Sequence, residues 1–235
     1  MATLYAGTSG FAYDTWKPDF YPPKLSSKQY LAHYATRLNA VEINYTFRRL
    51  PALTTLENWA QTTPAGFVFS LKAHQRITHI QRLKPAEFNE IFFKAIHPLH
   101  VIGRLGPLLF QLPPNLKCDP PLLASFLSAI PPEFRCAFEF RNQTWLNDAV
   151  YELLEKHHAA LCLAESDTFT VPEVITGGFV YCRLRKSEYS PEDRAAILDR
   201  VRGLLAQNRD VYLFFKHEET PAGAFYAEEL LTAVR

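Results

Sequence analysis

Apolar runs that read as β-strands alternate along the chain with segments of helical periodicity. The eight strand-like runs are LYAGTS (4–9), AVEINYTF (40–47), GFVFSLKA (66–73), LGPLLFQL (105–112), CAFEFR (136–141), ALCLAES (160–166), FVYCRLR (179–185) and DVYLFF (210–215). Apolar residues at helical spacing follow several of them, as at Phe88, Phe92, Ile96 and Leu99. Ser190-Pro191 and Asn147-Asp148 are typical helix starts.

Strict alternation of strands and helices predicts parallel pairing with right-handed crossovers. Eight such units in a chain of 235 residues fit a closed (β/α)₈ TIM barrel. The alternative is an open doubly wound sheet, but the turn after the first strand, GTSGF, lacks the G-x-G-x-x-G spacing of a dinucleotide site. We therefore expect one α/β domain over residues 1–235.

Composition and charge narrow the classes of function. With 48% hydrophobic residues the chain has enough apolar material for one large core. A net charge of +1 gives no global attraction to nucleic acid or to an anionic membrane, so nucleic acid is an unlikely partner. The start, MATLYAGTSGF, has no leader pattern, and no apolar run of about 18 residues occurs, which predicts a cytoplasmic protein.

The four cysteines, Cys118, Cys136, Cys162 and Cys182, show no C-x-x-C spacing. Most of them lie in apolar strand-like runs, where a free cysteine behaves as a small buried hydrophobe. We expect reduced core residues and no metal site. The residues do not identify a cofactor.

The polar residues of the strands fall on one alternating set of positions. In VEINYTFRRLP (41–51), for example, Glu42, Asn44 and Thr46 alternate with apolar residues. Successive side chains of a barrel strand point alternately inward and toward the helices. The predicted inward set is Glu42, Asn44, Ser70, Lys72, Gln111, Glu139, Arg141, Arg183, Arg185, Tyr212, Phe214 and Lys216. The other set, including Val41, Ile43, Phe69, Leu71, Phe110, Leu112, Phe138, Phe140, Cys182 and Leu184, suits packing under helices.

This inward set predicts a base-rich site at the carboxyl ends of the strands. Lys72, Arg141, Arg183, Arg185 and Lys216 suit a phosphate or carboxylate ligand. Candidate catalytic residues are Glu42 and Glu139 for proton transfer and, as an alternative, Lys72 for Schiff-base formation. The structural alternative is that the same charges form buried ion pairs without a catalytic role.

Several motifs recur in an order that resembles a known family. They are GTSGF (7–11), Trp16 with FYP (20–22), VEINYTFRRLP (41–51), FVFSLKAHQRITH (67–79), RLGPLLFQLPP (104–114), FEFRNQTW (138–145) and FVYCRLR (179–185). From Met1 to about Ala222 the chain resembles the domain-of-unknown-function 72 family of YecE-like, UPF0759-type TIM-barrel proteins. The resemblance implies the barrel fold and no particular activity. The family's recurring positions correspond to Thr8, Ser9, Trp16, Glu42, Asn44, Lys72, Gln111, Glu139, Arg141, Trp145 and Arg183.

The chain departs from the family pattern at three places. Arg185-Lys186 stands where the family often has His-Gly, Lys216-His217 where an Asn pair is common, and Phe11-Ala12 where Trp-Ser is common. The first two departures make the predicted mouth more basic.

Four functions remain open at this stage. The first is an enzyme acting on a small anionic metabolite, phosphorylated, carboxylated or sugar-like. The second is a glycoside hydrolase with Glu42 and Glu139 as its carboxylate pair and Trp16, Trp59 or Trp145 as sugar platforms. The third is a metal-dependent nucleic-acid enzyme, for which His74, His79 and His217 near strand ends form no ligand constellation. A non-enzymatic barrel that binds a small ligand or a nucleic acid is the fourth.

Overall fold

The computed structural model describes residues 1–234, and its centre is a nearly closed barrel of eight parallel strands. The strands are β1 (Leu4–Thr8), β2 (Ala40–Ile43), β3 (Val68–Lys72), β4 (Leu105–Gln111), β5 (Cys136–Glu139), β6 (Ala160–Ser166), β7 (Phe179–Arg185) and β8 (Asp210–Phe215). They follow one another around the sheet in chain order, and β1 pairs with β8. The predicted barrel fold is confirmed.

Within residues 1–234, seven α-helices surround the barrel. They are α1 (Tyr30–Arg37), α2 (Leu53–Thr62), α3 (Glu87–Val101), α4 (Pro120–Ser128), α5 (Asp148–Lys156), α6 (Pro191–Ala206) and α7 (Ala222–Val234). The connection between β6 and β7, residues 167–178, is fully described and contains no helix. A two-residue strand, Phe169–Thr170, pairs there with the end of β6. Pro172 and the pair Gly177-Gly178 make this segment unsuitable for a helix.

Side-chain caps fix the starts of α5 and α6 where the sequence predicts them. The Ser190 side chain accepts a hydrogen bond from the Asp193 N–H, and the Asp193 carboxylate accepts from the Ser190 N–H. Asn147 caps α5 by accepting from the Val150 N–H at 3.2 Å. These caps satisfy N–H groups that a helix leaves unpaired in its first turn.

Side chains hold together the one interrupted seam of the barrel, between β1 and β2. Near the start of the seam, the Asn39 amide accepts from the Ala6 N–H at 2.9 Å and donates to the Leu4 carbonyl at 2.7 Å. Further along, the Tyr34 hydroxyl accepts from the Thr8 N–H at 2.8 Å and donates to the Ala40 carbonyl at 3.0 Å. Backbone pairing at this seam is limited to the Ser9–Glu42 bridge, where the Gly10 N–H donates to the Glu42 carbonyl at 2.8 Å, and the two side chains supply the other links.

The outward faces of the strands pack against the helices, as strand alternation predicts. Phe110 and Phe138 contact Phe126 of α4, and Phe69 stacks on Trp59 of α2 with ring centroids 5.4 Å apart. Cys136, Cys162 and Cys182 are buried, Cys118 is half-buried, and all four are free thiols. Within residues 1–234, no helix is long and apolar enough to cross a membrane.

Candidate functional site at the carboxyl ends of the strands

The second strand is shorter than the sequence predicts. β2 ends at Ile43, Asn44 begins a turn, and Tyr45–Phe47 form one 3-10 turn. The prediction of a strand through Phe47 is therefore wrong. The Thr46 hydroxyl lies within hydrogen-bond distance of the carbonyls of Ile43 and Lys72, at 3.2 and 2.7 Å, which fastens this turn to the end of β3.

The centre of the mouth is a buried chain of three charges, Glu42, Arg183 and Glu139. Arg183 donates to Glu42 Oε1 through Nε and Nη2 at 3.1 and 2.7 Å, and through Nη1 to Glu139 Oε2. The exposed fractions of Glu42, Glu139 and Arg183 are 0%, 1% and 2%. Glu42 also accepts from the hydroxyls of Ser9 and Tyr181, each at 2.7 Å. Both carboxylate oxygens of Glu42 are thus hydrogen-bonded to side chains of the barrel.

A second layer of polar side chains surrounds Glu139. Arg185 and Arg141 both donate to Glu139 Oε1, Arg141 at 3.3 Å. Gln111 donates to Glu139 Oε2 at 2.9 Å and accepts from Lys72 Nζ at 2.8 Å. Residues predicted on β2, β3, β4, β5 and β7, namely Glu42, Lys72, Gln111, Glu139, Arg141, Arg183 and Arg185, therefore form one continuous network.

The network shifts the proton affinities of its members in opposite directions. Burial by itself would raise the pKa of Glu139, but the charges of Arg183, Arg185 and Arg141 hold that pKa well below its usual range. Burial and the nearby Arg183 charge lower the pKa of Lys72 to about 8. Glu139 is therefore a fixed anion at neutral pH, whereas Lys72 is an amine that can lose its proton near neutrality.

The turns that follow β2 and β3 contribute Phe47 and His79, which sequence reasoning did not assign to the site. Lys72 Nζ lies 4.1 Å from the centroid of the Phe47 ring, and the His79 ring meets the same phenyl edge-on at 5.0 Å. His79 belongs to a π-helical turn, Arg76–Ile80, a geometry that is frequent at functional sites. Burial, with Lys72, Arg141 and Arg82 nearby, lowers the pKa of His79. The motif HQRITH directly after a strand was the available signal.

A cavity of about 540 Å³ lies at the carboxyl ends of β6, β7 and β8. Arg185 and Lys216 from the predicted set line it, together with Lys186 and His217. Both ring nitrogens of His217 are buried without a hydrogen-bond partner among the described residues, and burial lowers its pKa. Lys216 lies 3.5 Å from the Glu218 carboxylate.

Five predicted ligand residues lie away from this network, and one of them is Lys216, whose ion-pair partner is Glu218. Trp16 and Trp145 are completely buried, and Trp145 stacks on Phe140 and donates to a backbone carbonyl at 2.8 Å. The Thr8 hydroxyl faces Tyr34 of α1 at 3.0 Å. Asn44 lines a separate cavity of about 460 Å³ beside the ends of β1 and β2. Of the predicted residues, only Ser9, Glu42, Lys72, Gln111, Glu139, Arg141, Arg183 and Arg185 are joined directly.

Comparison of the sequence with known proteins identifies a family and a relative. A family model described as "Protein of unknown function DUF72" matches residues 5–235. The UPF0759 protein YunF of Bacillus subtilis (strain 168) is 31% identical over 161 residues, which are 63% of this chain and 54% of that protein. The chain thus matches about half the length of that relative.

Solved structures share the fold over almost the whole chain. The crystal structure of a DUF72 family protein from Thermotoga maritima superposes with a TM-score of 0.86, at 25% identity, and covers 99% of both chains. A DUF72 family protein from Enterococcus faecalis gives a TM-score of 0.76 at 17% identity, covering 98% of this chain and 96% of that one. The second likeness supports the fold alone.

Proposed function

The chain belongs to the DUF72 family, whose members are described as proteins of unknown function, and from this premise we propose that its barrel mouth binds a small anionic metabolite and acts on it as an enzyme. One observation carries the proposal: four cations, Lys72, Arg141, Arg183 and Arg185, share two carboxylates in one network. With Lys72 protonated the six groups sum to +2, which a bound anion would balance.

The outer cations retain hydrogen-bonding capacity toward such a ligand. Arg141 is 40% exposed and contacts Glu139 through Nε alone. The Arg185 side chain is 18% exposed and lines the cavity at the ends of β6, β7 and β8. Guanidinium groups bind phosphate and carboxylate through paired, charge-assisted hydrogen bonds. The cavity lined by Arg185 offers room for an anionic group next to that guanidinium, and its other charged lining residues are Lys186, Lys216, Asp167, Glu218 and Glu219.

Lys72 is the proposed reactive group. A pKa of about 8 leaves a minor fraction of neutral amine at pH 7, suited to proton abstraction or Schiff-base formation. Glu42 and Glu139, both placed among catalytic candidates by the sequence, act in this proposal as hydrogen-bond acceptors that hold the cations in place. They orient Arg183 and Arg185 and, through Gln111, the Lys72 amine.

A glycoside hydrolase is less well supported. Its general acid needs a raised pKa and its two carboxylates must reach the glycosidic bond. Glu42 and Glu139 are instead fully buried on either side of Arg183, and the pKa of Glu139 is lowered. The buried Trp16 and Trp145 offer no exposed sugar platform.

Thermal-shift screening tests the proposal. The panel contains phosphorylated sugars, nucleotides, carboxylates, neutral oligosaccharides and divalent metals, because a ligand that binds only the folded state raises the melting temperature. We expect stabilisation by an anion that is lost in Lys72→Met and Arg185→Met and kept in Lys156→Met, an exposed lysine at the end of α5. Hits would then enter turnover assays. Binding without turnover favours the non-enzymatic alternative, and stabilisation by neutral glycans alone contradicts the anionic ligand.

A further inference from the structure

Lys72 differs from the other lysines of the chain in its surroundings. Within residues 1–234, three lysines are neither buried nor exposed but half-buried, namely Lys17, Lys72 and Lys186. Lys17 and Lys186 each form an ion pair with an aspartate, at 3.5 and 3.1 Å. Lys72 forms no ion pair with a described carboxylate. Its Nζ donates to the neutral Oε1 of Gln111 at 2.8 Å and lies 4.1 Å from the centroid of the Phe47 ring.

The charges that face Lys72 leave its ammonium form uncompensated. They are Arg183 of β7, Glu42 of β2, and Glu139 and Arg141 at the end of β5. Glu42 and Glu139 are both hydrogen-bonded to Arg183, so neither is free to pair with Lys72. Burial and the Arg183 charge lower the pKa of Lys72 to about 8. A lysine that is desolvated beside another cation is a typical amine nucleophile.

The loops after β2, β3, β4 and β5 form a basic half of the mouth. Residues 44–52, 73–86, 112–119 and 140–147 contain seven basic residues, Arg48, Arg49, Arg76, Arg82, Lys84, Lys117 and Arg141. Their single acidic residue, Asp119, accepts from the Leu122 N–H at 3.0 Å as the cap of α4. The loops after β6, β7 and β8, residues 167–178, 186–190 and 216–221, instead carry five acidic residues against two lysines. An anionic ligand is therefore attracted to the half of the mouth that holds Lys72.

Three cations of the basic half lie near the π-helical turn. Burial lowers the pKa of His79, and so do the charges of Lys72, Arg141 and Arg82, which all lie near its ring. Arg141 is 40% exposed, and the Arg82 side chain bonds only to the neutral Asn115 amide among the described residues, at 3.3 Å. Both guanidinium groups can therefore bind a carboxylate or a phosphate on the side of the mouth where the Lys72 amine lies.

The hydrogen bonding at Lys72 Nζ fits an iminium group better than an ammonium group. An ammonium group has three N–H donors, and Lys72 has one acceptor among the described residues, Gln111 Oε1. The nitrogen of a protonated Schiff base has one N–H, which this acceptor satisfies. The face of the Phe47 ring stabilises the positive charge in either form.

We propose that Lys72 forms a Schiff base with an anionic aldehyde or ketone whose carboxylate or phosphate is bound by Arg141 and Arg82, an inference that rests on the anion site of the proposed function. The neutral amine adds to the carbonyl carbon. The carbonyl oxygen takes up one proton from the amine and one from solvent and leaves as water. A C=N bond thus replaces the C=O bond, and the product is an iminium cation with one N–H. The step needs no oxidant or reductant.

The test is reductive trapping with cyanoborohydride, which transfers hydride to the iminium carbon and makes the adduct permanent. The probes are glyoxylate, glyceraldehyde 3-phosphate and the neutral glycolaldehyde, and peptide mass mapping compares the labelling of Lys72 with that of Lys156, an exposed lysine of α5. At neutral pH we expect at least one anionic probe to label Lys72 at least about tenfold faster than Lys156, because an amine with a pKa of about 8 has a larger neutral fraction than an unperturbed lysine. The preferred anionic probe distinguishes a carboxylate ligand from a phosphate ligand. Glycolaldehyde should label Lys72 at least about tenfold more slowly than that probe, because it lacks the anionic group.

Three variants connect the labelling to the site. Lys72→Arg keeps the positive charge and should retain stabilisation by the anion while losing the trapped adduct at position 72. Arg141→Met should lower the labelling of Lys72 by the anionic probe to the level of glycolaldehyde. Arg202→Met, which removes an exposed arginine of α6, should leave the labelling of Lys72 unchanged.

Two results would overturn the inference. One is labelling of Lys72 by both anionic probes at no more than the rate of Lys156, and the other is equal labelling of Lys72 by all three probes. An anion that stabilises the wild type in the thermal-shift screen without any trapping at Lys72 would overturn this inference and leave the proposed function standing. Equal labelling by all three probes, with no stabilisation by any anion, would overturn both.

Discussion

Replacing Arg183 by Met removes the cation at the centre of the mouth while keeping a long apolar side chain. Three hydrogen bonds are lost, two to Glu42 and one to Glu139. The consequences for the two carboxylates differ. Glu139 retains Arg141, Arg185 and Gln111, but Glu42 keeps only neutral hydroxyl donors, from Ser9 and Tyr181.

The cost follows from leaving Glu42 buried without a compensating charge. Removing one partner of a buried ion pair typically costs about 3–5 kcal/mol of unfolding free energy. For a chain of this size we expect the melting temperature to fall by about 6–20 °C, at about 2–4 °C per kcal/mol. Urea denaturation of wild type and Arg183→Met, with thermal melts in parallel, measures both quantities.

A double-mutant cycle with Glu42→Gln identifies the origin of the loss. If the uncompensated charge is responsible, Arg183→Met/Glu42→Gln will be more stable than Arg183→Met alone by about 1–3 kcal/mol, because the amide needs no cation. A matched control, Arg202→Met, removes a surface arginine that contacts one backbone carbonyl and should change stability by less than about 0.5 kcal/mol. A loss below about 1 kcal/mol in Arg183→Met, or no recovery in the double variant, would refute this reasoning.

Three further predictions concern Lys72 and the barrel seam. The pKa of Lys72 is lowered from 10.5 to about 8 in the folded protein, so between these pH values the unfolded chain binds one proton more than the folded chain. Wild type should therefore gain up to about 3 kcal/mol of stability relative to Lys72→Met as the pH rises through this range. Urea denaturation of both proteins at pH 7 and 10 measures the difference, and a difference that does not change with pH contradicts the prediction. Asn39→Ala leaves a backbone donor and a backbone acceptor of β1 unpaired and should lower the free energy of unfolding by about 2 kcal/mol. Asn39→Asp should have an intermediate stability. Urea denaturation compares the three proteins, and equal stability would show that the bridge is dispensable. Gly7→Ala would bring a methyl group within 1.9 Å of the Ala40 carbonyl oxygen. It should lower the free energy of unfolding by at least about 3 kcal/mol or abolish soluble expression. The control, Gly178→Ala, has open space around the added methyl group and should have the melting temperature of wild type.

The order of the elements and the identity of the inward-facing charges could be predicted from the sequence. β6, β7 and β8 have the predicted bounds, because each is a mainly apolar run followed directly by polar residues, and β7 and β8 also carry aromatic and β-branched residues that favour strands. The parity of Glu42, Lys72, Gln111, Glu139 and Arg183 follows from the two-residue period of a strand, which the chain itself determines. Family membership, too, could be read from motifs that recur in order.

The partnerships within the mouth were decided only by the tertiary structure. Alternation places Arg183 inside the barrel but does not say that it lies between Glu42 and Glu139, since that depends on strand stagger and on the diameter of the closed barrel. The end of β2 at Ile43 depends on the Thr46 hydroxyl reaching the carbonyl of Lys72 on the next strand. His79 and Lys72 both contact the ring of Phe47, which follows the preceding strand, and Asn39 bonds to β1, 33 residues away. These contacts join residues that are distant in the chain, and a local pattern carries no information about such distances.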